Sequence, residues 1–330
     1  MTDLGNKNFA LIGASGFVAP RHMRAIKETG NELQAACDPY DGVGIMDSYF
    51  PNTAFFTEFE RFDRHVEKLK QKEKPIDYFS ICSPNYLHDA HVRFALRYGA
   101  HAICEKPLVL NPWNLDALEQ LESEYPGKIF NVLQLRLHPV IIQLKKEIEN
   151  NPPAQKKKID LTYITSRGKW YYASWKGDIR KSGGVATNIG IHFFDMLMWI
   201  FGGVDKMEVH RNTHDSAAGF LELKNAEVKW FMSINSDHLP PEQKQNGKRT
   251  YRNLSMDENE IDFTSGFEEL HTETYREILK GNGFSIRDTR PSIELVHKIR
   301  FSDLSSSEEN AHPLINLPLG KHPFEPLAPK

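Results

Sequence analysis

Cysteine is scarce: Cys37, Cys82 and Cys104 are the three in 330 residues. Without paired metal-ligand spacing, they exclude a disulfide scaffold and a thiolate zinc cage, and they fit a reducing compartment. An excess of either charge is missing too, with 41 Lys and Arg against 44 Asp and Glu and a net charge of -3. A dominant nucleic-acid face needs a basic field, so that class of partner is excluded. Lys156, Lys157 and Lys158 form a run of three that reads as a solvated loop. No apolar run of transmembrane length stands out and no basic-then-apolar leader follows Met1, so no membrane insertion and a soluble, cytoplasmic protein are expected. Internal repeats are absent. A length of 330 residues favours two domains.

What is present is an alternation. "NFALIG" (8–13) reads as a strand, "APRHMRAIKETG" (19–30) as a helix closed by Gly30, and "ELQAACD" (32–38) as a second strand. Thr57 and Glu60 have capping-box spacing at a helix start. "YFSICSPN" (78–85) and "AHAIC" (100–104) are further buried strands on either side of a helix over 88–99, and Asn111-Pro112 opens another helix. Strands separated by helices imply a parallel sheet. Composition changes near His138-Pro139. A helix over 140–150 then leads through "NNPPAQKKK" into a strand over 158–168, whose Ile159, Leu161, Tyr163 and Thr165 share one face as in a half-solvated strand. Similar stretches at 206–212, 218–224, 226–235 and 251–264 predict a mostly antiparallel sheet, covered by helices over 189–201 and 266–280. The tail "LPLGKHPFEPLAPK" is too rich in proline to be helical. The fold class is α/β, with a domain at 1–136 and an α+β domain at 137–330.

Chemistry concentrates at strand ends. In "IGASGFVAPRH" (12–22), glycines between strand and helix let the backbone approach a pyrophosphate. The spacing Gly13-x-x-Gly16-x-x-Ala19 departs from G-x-G-x-x-G, and alone it fits a tight structural turn equally well. Asp38 closes the next strand, where a carboxylate accepts from adenosine ribose hydroxyls and repels a 2′-phosphate, favouring NAD over NADP. As a bare cap before Pro39 it would leave its partnership with the glycine turn to coincidence. "CSPN" (82–85) and "CEKP" (104–107) also occupy strand ends, where open α/β sheets bind ligands. Glu105 and Lys106 after a buried strand are costly to desolvate unless they serve a polar cleft or pair as a salt bridge. Pro107 restricts Lys106 to an extended backbone.

These motifs, "EKP" (105–107), "SPNYLH" (83–88) and "GGVATNIGIHFFD" (183–195), resemble in type and order those of the Gfo/Idh/MocA family of nicotinamide-dependent oxidoreductases. Within it, "GFVAPRHMRAIKETGNEL", "LQLRLHP" and "GVATNIGIHFFDMLMW" are similar to the WlbA/WbpB group, which oxidises the sugar 3-hydroxyl of UDP-N-acetylglucosaminuronic acid on the way to diacetamido-uronic acids of bacterial surface polysaccharides. The resemblance implies a Rossmann domain at 1–136 and a substrate-binding, oligomerising domain at 137–330, as a homo-oligomer such as a tetramer. It implies NAD contacts from Gly13, Ser15, Gly16, Phe17, Val18, Asp38, Ser83, Pro84, Asn85, His88, Glu105, Lys106 and Gln134. Substrate contacts are implied for Arg136, Arg167, Lys169, Trp175, Lys176, Asn188 and His192, with Lys106, His192 and Asn188 catalytic. Many relatives carry Asp at the place of Asn188. An amide orients a hydroxyl but cannot take its proton, which leaves His192 or Lys106 as the base. Some relatives recycle tightly held NAD with 2-oxoglutarate. His88 and His91 have metal-like spacing but lack further ligands, and no metal is assigned.

Two other classes compete. "GASGFVA" followed by Tyr172 and Lys176 mimics the Tyr-x-x-x-Lys pair of short-chain dehydrogenases, although "SRGKWYYASWKGD" makes a poor helix for it. A non-catalytic protein binding NAD and a sugar nucleotide, or a dehydrogenase of another sugar or of inositol, would share most of these motifs.

Overall fold

The computed structural model describes residues 6–261 and 269–324. Two compact units divide the chain, Met1–Leu137 with Glu268–Arg290 and His138–Phe267 with Pro291–Lys330. The boundary expected between 136 and 137 lies beside the Leu137/His138 division, but residues 268–290, which that scheme gives to the second domain, group with the first unit.

In the first unit, β1 (Asn8–Ile12), β2 (Glu32–Cys37), β3 (Ala54–Phe56), β4 (Tyr78–Ile81), β5 (His101–Cys104) and β6 (Ile129–Asn131) form one sheet in the order β3-β2-β1-β4-β5-β6. Every neighbouring pair is parallel. This is the doubly wound order whose strand sequence reverses direction at β1 and β4, the place where such sheets bind ligands. The central strands are near-continuous apolar runs because helices cover both faces. Helices end where glycine permits a left-handed residue, as at Gly99 (φ 97°) after His88–Tyr98. Asn111 occupies the N-cap of Pro112–Glu124 as its sequence predicts. The capping box at Thr57 does not form. Glu58 is the extended N-cap (φ -107°, ψ 128°) of Phe59–Gln71, one place later than the box requires, and no side chain caps the turn.

The helix expected over 266–280 as cover for the second sheet is described as Leu270–Leu279, its first expected residues lying outside the described chain. It packs in the first unit instead. Tyr275 and Ile278 share a core with Phe9, Leu11 and Met23, and Thr272 Oγ1 donates to Glu28 at 2.8 Å. Aromatic stacking of Tyr275 on Phe9 (5.8 Å) helps to select this partner.

In the second unit, β7 (Lys157–Thr165), β8 (Val204–Asn212), β9 (Ser216–Leu223), β10 (Ala226–Ser233), β11 (Thr250–Met256) and β12 (Asn259–Glu260) form a sheet in the order β12-β11-β7-β10-β9-β8. Only β7 and β10 pair in parallel. The expected strand over 251–264 is a hairpin turned through Asp257 and Glu258, both at positive φ, and 262–264 fall outside the described residues. One face of the sheet packs on the helix Ile191–Phe201, with Phe194 edge-on to Trp230 at 5.0 Å and Phe193 against Tyr163 at 4.9 Å. β7 is half-solvated over its first half only, where Lys158 and Asp160 are exposed. Thr162 and Ile164 further along that face are buried, because Leu314, Ile315 and Leu317, at the start of the proline-rich tail and just before it, lie over Ile164 and Phe231.

That tail is fastened by buried polar groups. Asp215 Oδ2 accepts from Gly320 N (2.8 Å), His238 Nε2 meets Pro318 O (2.8 Å), and Arg211 Nη1 donates to Ile315 O (3.2 Å) and Leu317 O. Residues 325–330 of the tail lie outside the described chain. The helical stretch Ile179–Phe201 is long and apolar enough by composition to cross a membrane, contrary to the sequence reading, and 67% of its most apolar window is buried inside the protein as core helix.

Candidate active site

At the carboxyl end of β1 the backbone turns through Gly13 at φ +93°. Its N–H donates to Cys37 O (2.8 Å), and Cys82 N donates to Ile12 O (2.8 Å), so β2, β1 and β4 converge there. A Cβ on Gly13 would stand 2.5 Å from the Cys82 carbonyl carbon and 2.6 Å from Ser83 N. Glycine is therefore required by conformation and by space. Ser15 and Gly16 are half-buried, Phe17 is 89% exposed, and the helix Ala19–Glu28 follows Val18 with Pro20 in its first turn and no side-chain cap. Within that turn Ala19 N donates to Gly16 O (3.0 Å) and Arg21 N to Val18 O (3.0 Å), so what the turn offers an anion is the close backbone approach that its glycines permit.

Asp38, buried at the end of β2, accepts from Ser15 N at 3.0 Å through Oδ2 and from Tyr40 N at 2.9 Å through Oδ1. The partnership between Asp38 and the glycine turn is thus a direct hydrogen bond. It holds the carboxylate beside the turn with lone pairs left for further donors.

The next two strand ends are joined by an imidazole. His88, 1% exposed, places Nδ1 2.7 Å from Pro107 O and Nε2 2.8 Å from Ser83 O, tying "SPN" to "EKP". Burial lowers its pKa, against the pull of those two carbonyls. Ser83 Oγ pairs with His91 Nδ1 (2.8 Å), and burial takes His91 down to about 4. Both histidines are committed to this hydrogen bonding, and Asn85 is buried alongside.

Glu105 and Lys106 part company. Lys106 is half-buried, whereas the Glu105 carboxylate turns inward to His22 and His271. Gln134 is buried in a short turn with its Oε1 unpaired among the described residues, an acceptor waiting for a donor. Arg136 is also buried, its guanidinium engaged by Asp288 O (2.8 Å) and Asp288 Oδ1 (3.5 Å) and lying over Phe284.

In the second unit, Gly183 and Gly184, both at positive φ, lead into a π-helical turn, Ala186–Gly190, and then Ile191–Phe201. Such widened turns expose backbone and recur at functional sites. Asn188 on this turn and His192 one turn on are half-buried. Asn188 Nδ2 donates to the hydroxyl of the buried Tyr171 (3.0 Å), which fixes the rotation of the amide. Arg167 and Lys169 are exposed, while Lys176 Nζ lies over the rings of Trp175 (4.3 Å) and Trp170 (5.7 Å). Tyr171 escapes the sequence reading because its neighbour Tyr172 draws attention through its spacing to Lys176. Tyr172 stacks edge-on with His322 (4.9 Å), and burial followed by Asp215 pushes its hydroxyl up to about 12. The helix there is five residues long and ends before Lys176, so a Tyr-x-x-x-Lys pair on one helix face does not exist.

Family models describe the same two parts. Residues 7–132 match the NAD-binding Rossmann fold of the GFO/IDH/MocA oxidoreductase family and residues 155–249 match its C-terminal alpha/beta domain. The WlbA (WbpB) dehydrogenase of Thermus thermophilus, solved with NAD and alpha-ketoglutarate and with NAD and UDP-GlcNAcA, is 47% identical, with a TM-score of 0.89 over 93% of this chain and 99% of that one. This chain belongs to the GFO/IDH/MocA family. It is an NAD-dependent dehydrogenase. The WlbA dehydrogenase of Bordetella pertussis shares the fold at 18% identity and a TM-score of 0.72, covering 89% of this chain and 94% of that one. Among curated relatives, D-glucoside 3-dehydrogenase of Escherichia coli is 28% identical over 184 residues, 47% of this chain and 50% of that protein. The chain spans about a third to a half of the length of the curated relatives it matches, from 34% to 54%.

The glycine turn, Asp38 and the unpaired Gln134 acceptor fit NAD. Asp38→Ser removes the charge that opposes a 2′-phosphate while keeping an acceptor, and it is expected to narrow the preference for NAD over NADP by about tenfold or more, the scale of one charge contact. Parallel dissociation constants for the two cofactors check it. Equal binding of both by the unaltered protein would refute the role of Asp38.

Proposed function

We propose that the protein oxidises the sugar 3-hydroxyl of UDP-N-acetylglucosaminuronic acid to the 3-keto sugar nucleotide, as a cytoplasmic homo-oligomer serving synthesis of diacetamido-uronic acids for bacterial surface polysaccharide. The observation that carries this reading is the likeness over nearly the whole chain, at 47% identity, to a dehydrogenase solved with NAD and UDP-GlcNAcA. Bound NAD supplies the hydride acceptor. The protein's own residues manage the proton and the charge. A protonated Lys106 stabilises the developing alkoxide, and His192 accepts the hydroxyl proton. Asn188, its amide rotation set by Tyr171, orients the hydroxyl and cannot serve as base. Arg167, Lys169 and Lys176 supply cations, and Trp175 an aromatic face, for a diphosphate, a uronate and a base. Gly13, Ser15, Gly16, Phe17, Val18, Asp38, Ser83, Pro84, Asn85 and Gln134 hold the cofactor. Because the Thermus relative was also solved with alpha-ketoglutarate, 2-oxoglutarate is the proposed acceptor that regenerates NAD.

The likeness to D-glucoside 3-dehydrogenase favours a second substrate class, a free glycoside oxidised at the same carbon. Incubation with UDP-N-acetylglucosaminuronic acid, with and without 2-oxoglutarate, is expected to give a product two mass units lighter, and UDP-N-acetylglucosamine, lacking the carboxylate, is expected to react far more slowly. If no keto sugar nucleotide forms while a free sugar or inositol is oxidised, the second class replaces the first. Binding of NAD without reduction by any of these sugars would leave a binding protein.

A further inference from the structure

Five side chains on four elements of the first unit form a chain of hydrogen bonds that none of the roles above uses. Ser80 on β4 and Tyr275 on Leu270–Leu279 pair at 2.5 Å, and Tyr275 pairs with His22 Nδ1 at 2.7 Å. His22 Nε2 and His271 Nε2 both reach Glu105 Oε1 at 3.0 Å. Four of the five are 2% exposed or less, and Glu105 is 6% exposed. The protons can be placed from geometry. A carboxylate oxygen shared by two imidazoles accepts from both, so both Nε2 atoms carry hydrogen. His22 Nδ1 is then an acceptor, Tyr275 donates to it, and Ser80 donates to Tyr275. Burial alone would push the Glu105 carboxyl up, but the bonds from the two histidines hold it well below the usual carboxylate range, while burial pushes His22 down and keeps it neutral.

The other carboxylate oxygen, Oε2, accepts from Lys106 N at 3.2 Å. Asn131 Nδ2 donates to Cys104 O (2.9 Å) and Glu105 O (3.3 Å), with its own Oδ1 accepting from Thr289, and His88 takes Pro107 O. The peptide group that precedes Lys106 and the one that follows Pro107 are therefore gripped by buried side chains. The geometry assigns Glu105 to positioning rather than to cofactor contact: His22, His271 and Tyr275 hold its carboxylate as the acceptor that fixes the backbone from which Lys106 projects, linking the helix after the glycine turn to that lysine. This rests on Lys106 acting at the reacting hydroxyl. The same three ligand atoms lie within 4.8 Å of one another and could instead converge on a metal ion, which would strip the Nε2 hydrogens.

Three measurements on the full chain test the assignment. In the unaltered protein, long-range proton–nitrogen spectra of labelled histidine should show a hydrogen on Nε2 of both His22 and His271. A missing Nε2 hydrogen on either, or stoichiometric metal by elemental analysis, overturns it. Glu105→Gln should bind NAD within about threefold of normal and lose about thirtyfold or more in kcat with KM for the sugar substrate little changed, since misplacing a catalytic group acts on turnover. His271→Leu should lose about tenfold in kcat and His271→Gln, which keeps a donor for Glu105, should recover most of it. That pair decides the matter even where Glu105→Gln fails to fold, and equal turnover in the two His271 variants rejects the network. Lys106→Met run alongside separates the two ideas: if it keeps full turnover, the role of Lys106 fails and the network's purpose fails with it, whereas an inactive Lys106→Met beside a fully active Glu105→Gln rejects the network alone.

Discussion

Lys106→Met is expected to reduce turnover by about a hundredfold or more while thermal unfolding and NAD affinity stay near normal, the scale of a lost acid-base or charge-stabilising group. Methionine matches the length and apolar stem of lysine, so the packing around a half-buried residue is kept and only the ammonium is removed. The backbone at this position is held by Glu105, Asn131 and His88, so its path should not depend on the lysine head group. His192→Asn should give a loss of similar size, because the amide keeps hydrogen-bonding capacity but cannot accept a proton. Single-turnover reduction of NAD, followed by absorbance, reads the step directly. A loss confined to KM in both variants would make the two residues binding groups and return the acid-base assignment to other side chains.

A second large effect is expected from a single methyl group. Gly13→Ala puts a side chain where φ is +93° and where the nearest atoms, 2.5 and 2.6 Å away, belong to the backbone of Cys82 and Ser83. The left-handed conformation alone costs about 1–2 kcal/mol for an L-residue, and the overlap adds to it because backbone cannot swing aside as a flexible side chain can. Gly13 N and Cys82 N are both hydrogen-bonded at 2.8 Å, so relief means breaking one of the sheet's own contacts. The expected result is NAD binding weakened at least tenfold and a midpoint of thermal unfolding about 5 °C or more lower. Gly30→Ala supplies the control: its φ is +75°, nothing lies within 4 Å of the added atom, and only the conformational part of the destabilisation should appear, with NAD affinity unchanged. Matching losses of NAD affinity in the two variants would show that the crowding at Cys82 and Ser83 does not matter.

Much of this was legible in the residues. Alternating apolar runs and amphipathic segments locate every strand of the parallel sheet except the three-residue β3 and β6, which are too short to show a period. Gly13, Asp38 and the "EKP" turn all lie at strand ends, because the doubly wound fold puts its ligand there. The inward turn of Glu105 was not legible. Its partners His22 and His271 stand 83 and 166 residues away along the chain, and no local pattern marks histidines that meet only when distant segments fold. The destination of Leu270–Leu279 was hidden for a similar reason, since an amphipathic helix states that it must bury one face and not which sheet will receive it. The covering of the second half of β7 on both sides depends on a segment with no regular structure, for which periodicity offers no signal. Tyr171 and Asn188, 17 residues apart, meet through a turn whose π-helical widening leaves no compositional trace.

The return of residues 268–290 to the first unit sets an order of events during synthesis. Phe9, Leu11 and Met23 leave the ribosome early, but Tyr275 and Ile278, which complete their core, follow some 250 residues later. At common rates of about 5–20 residues per second, the nascent nucleotide-binding domain waits more than ten seconds with one flank of its core uncovered and with His22 and Glu105 lacking His271 and Tyr275. Translation thus delivers the glycine turn some 250 residues ahead of the His271 and Tyr275 that meet Glu105 and His22.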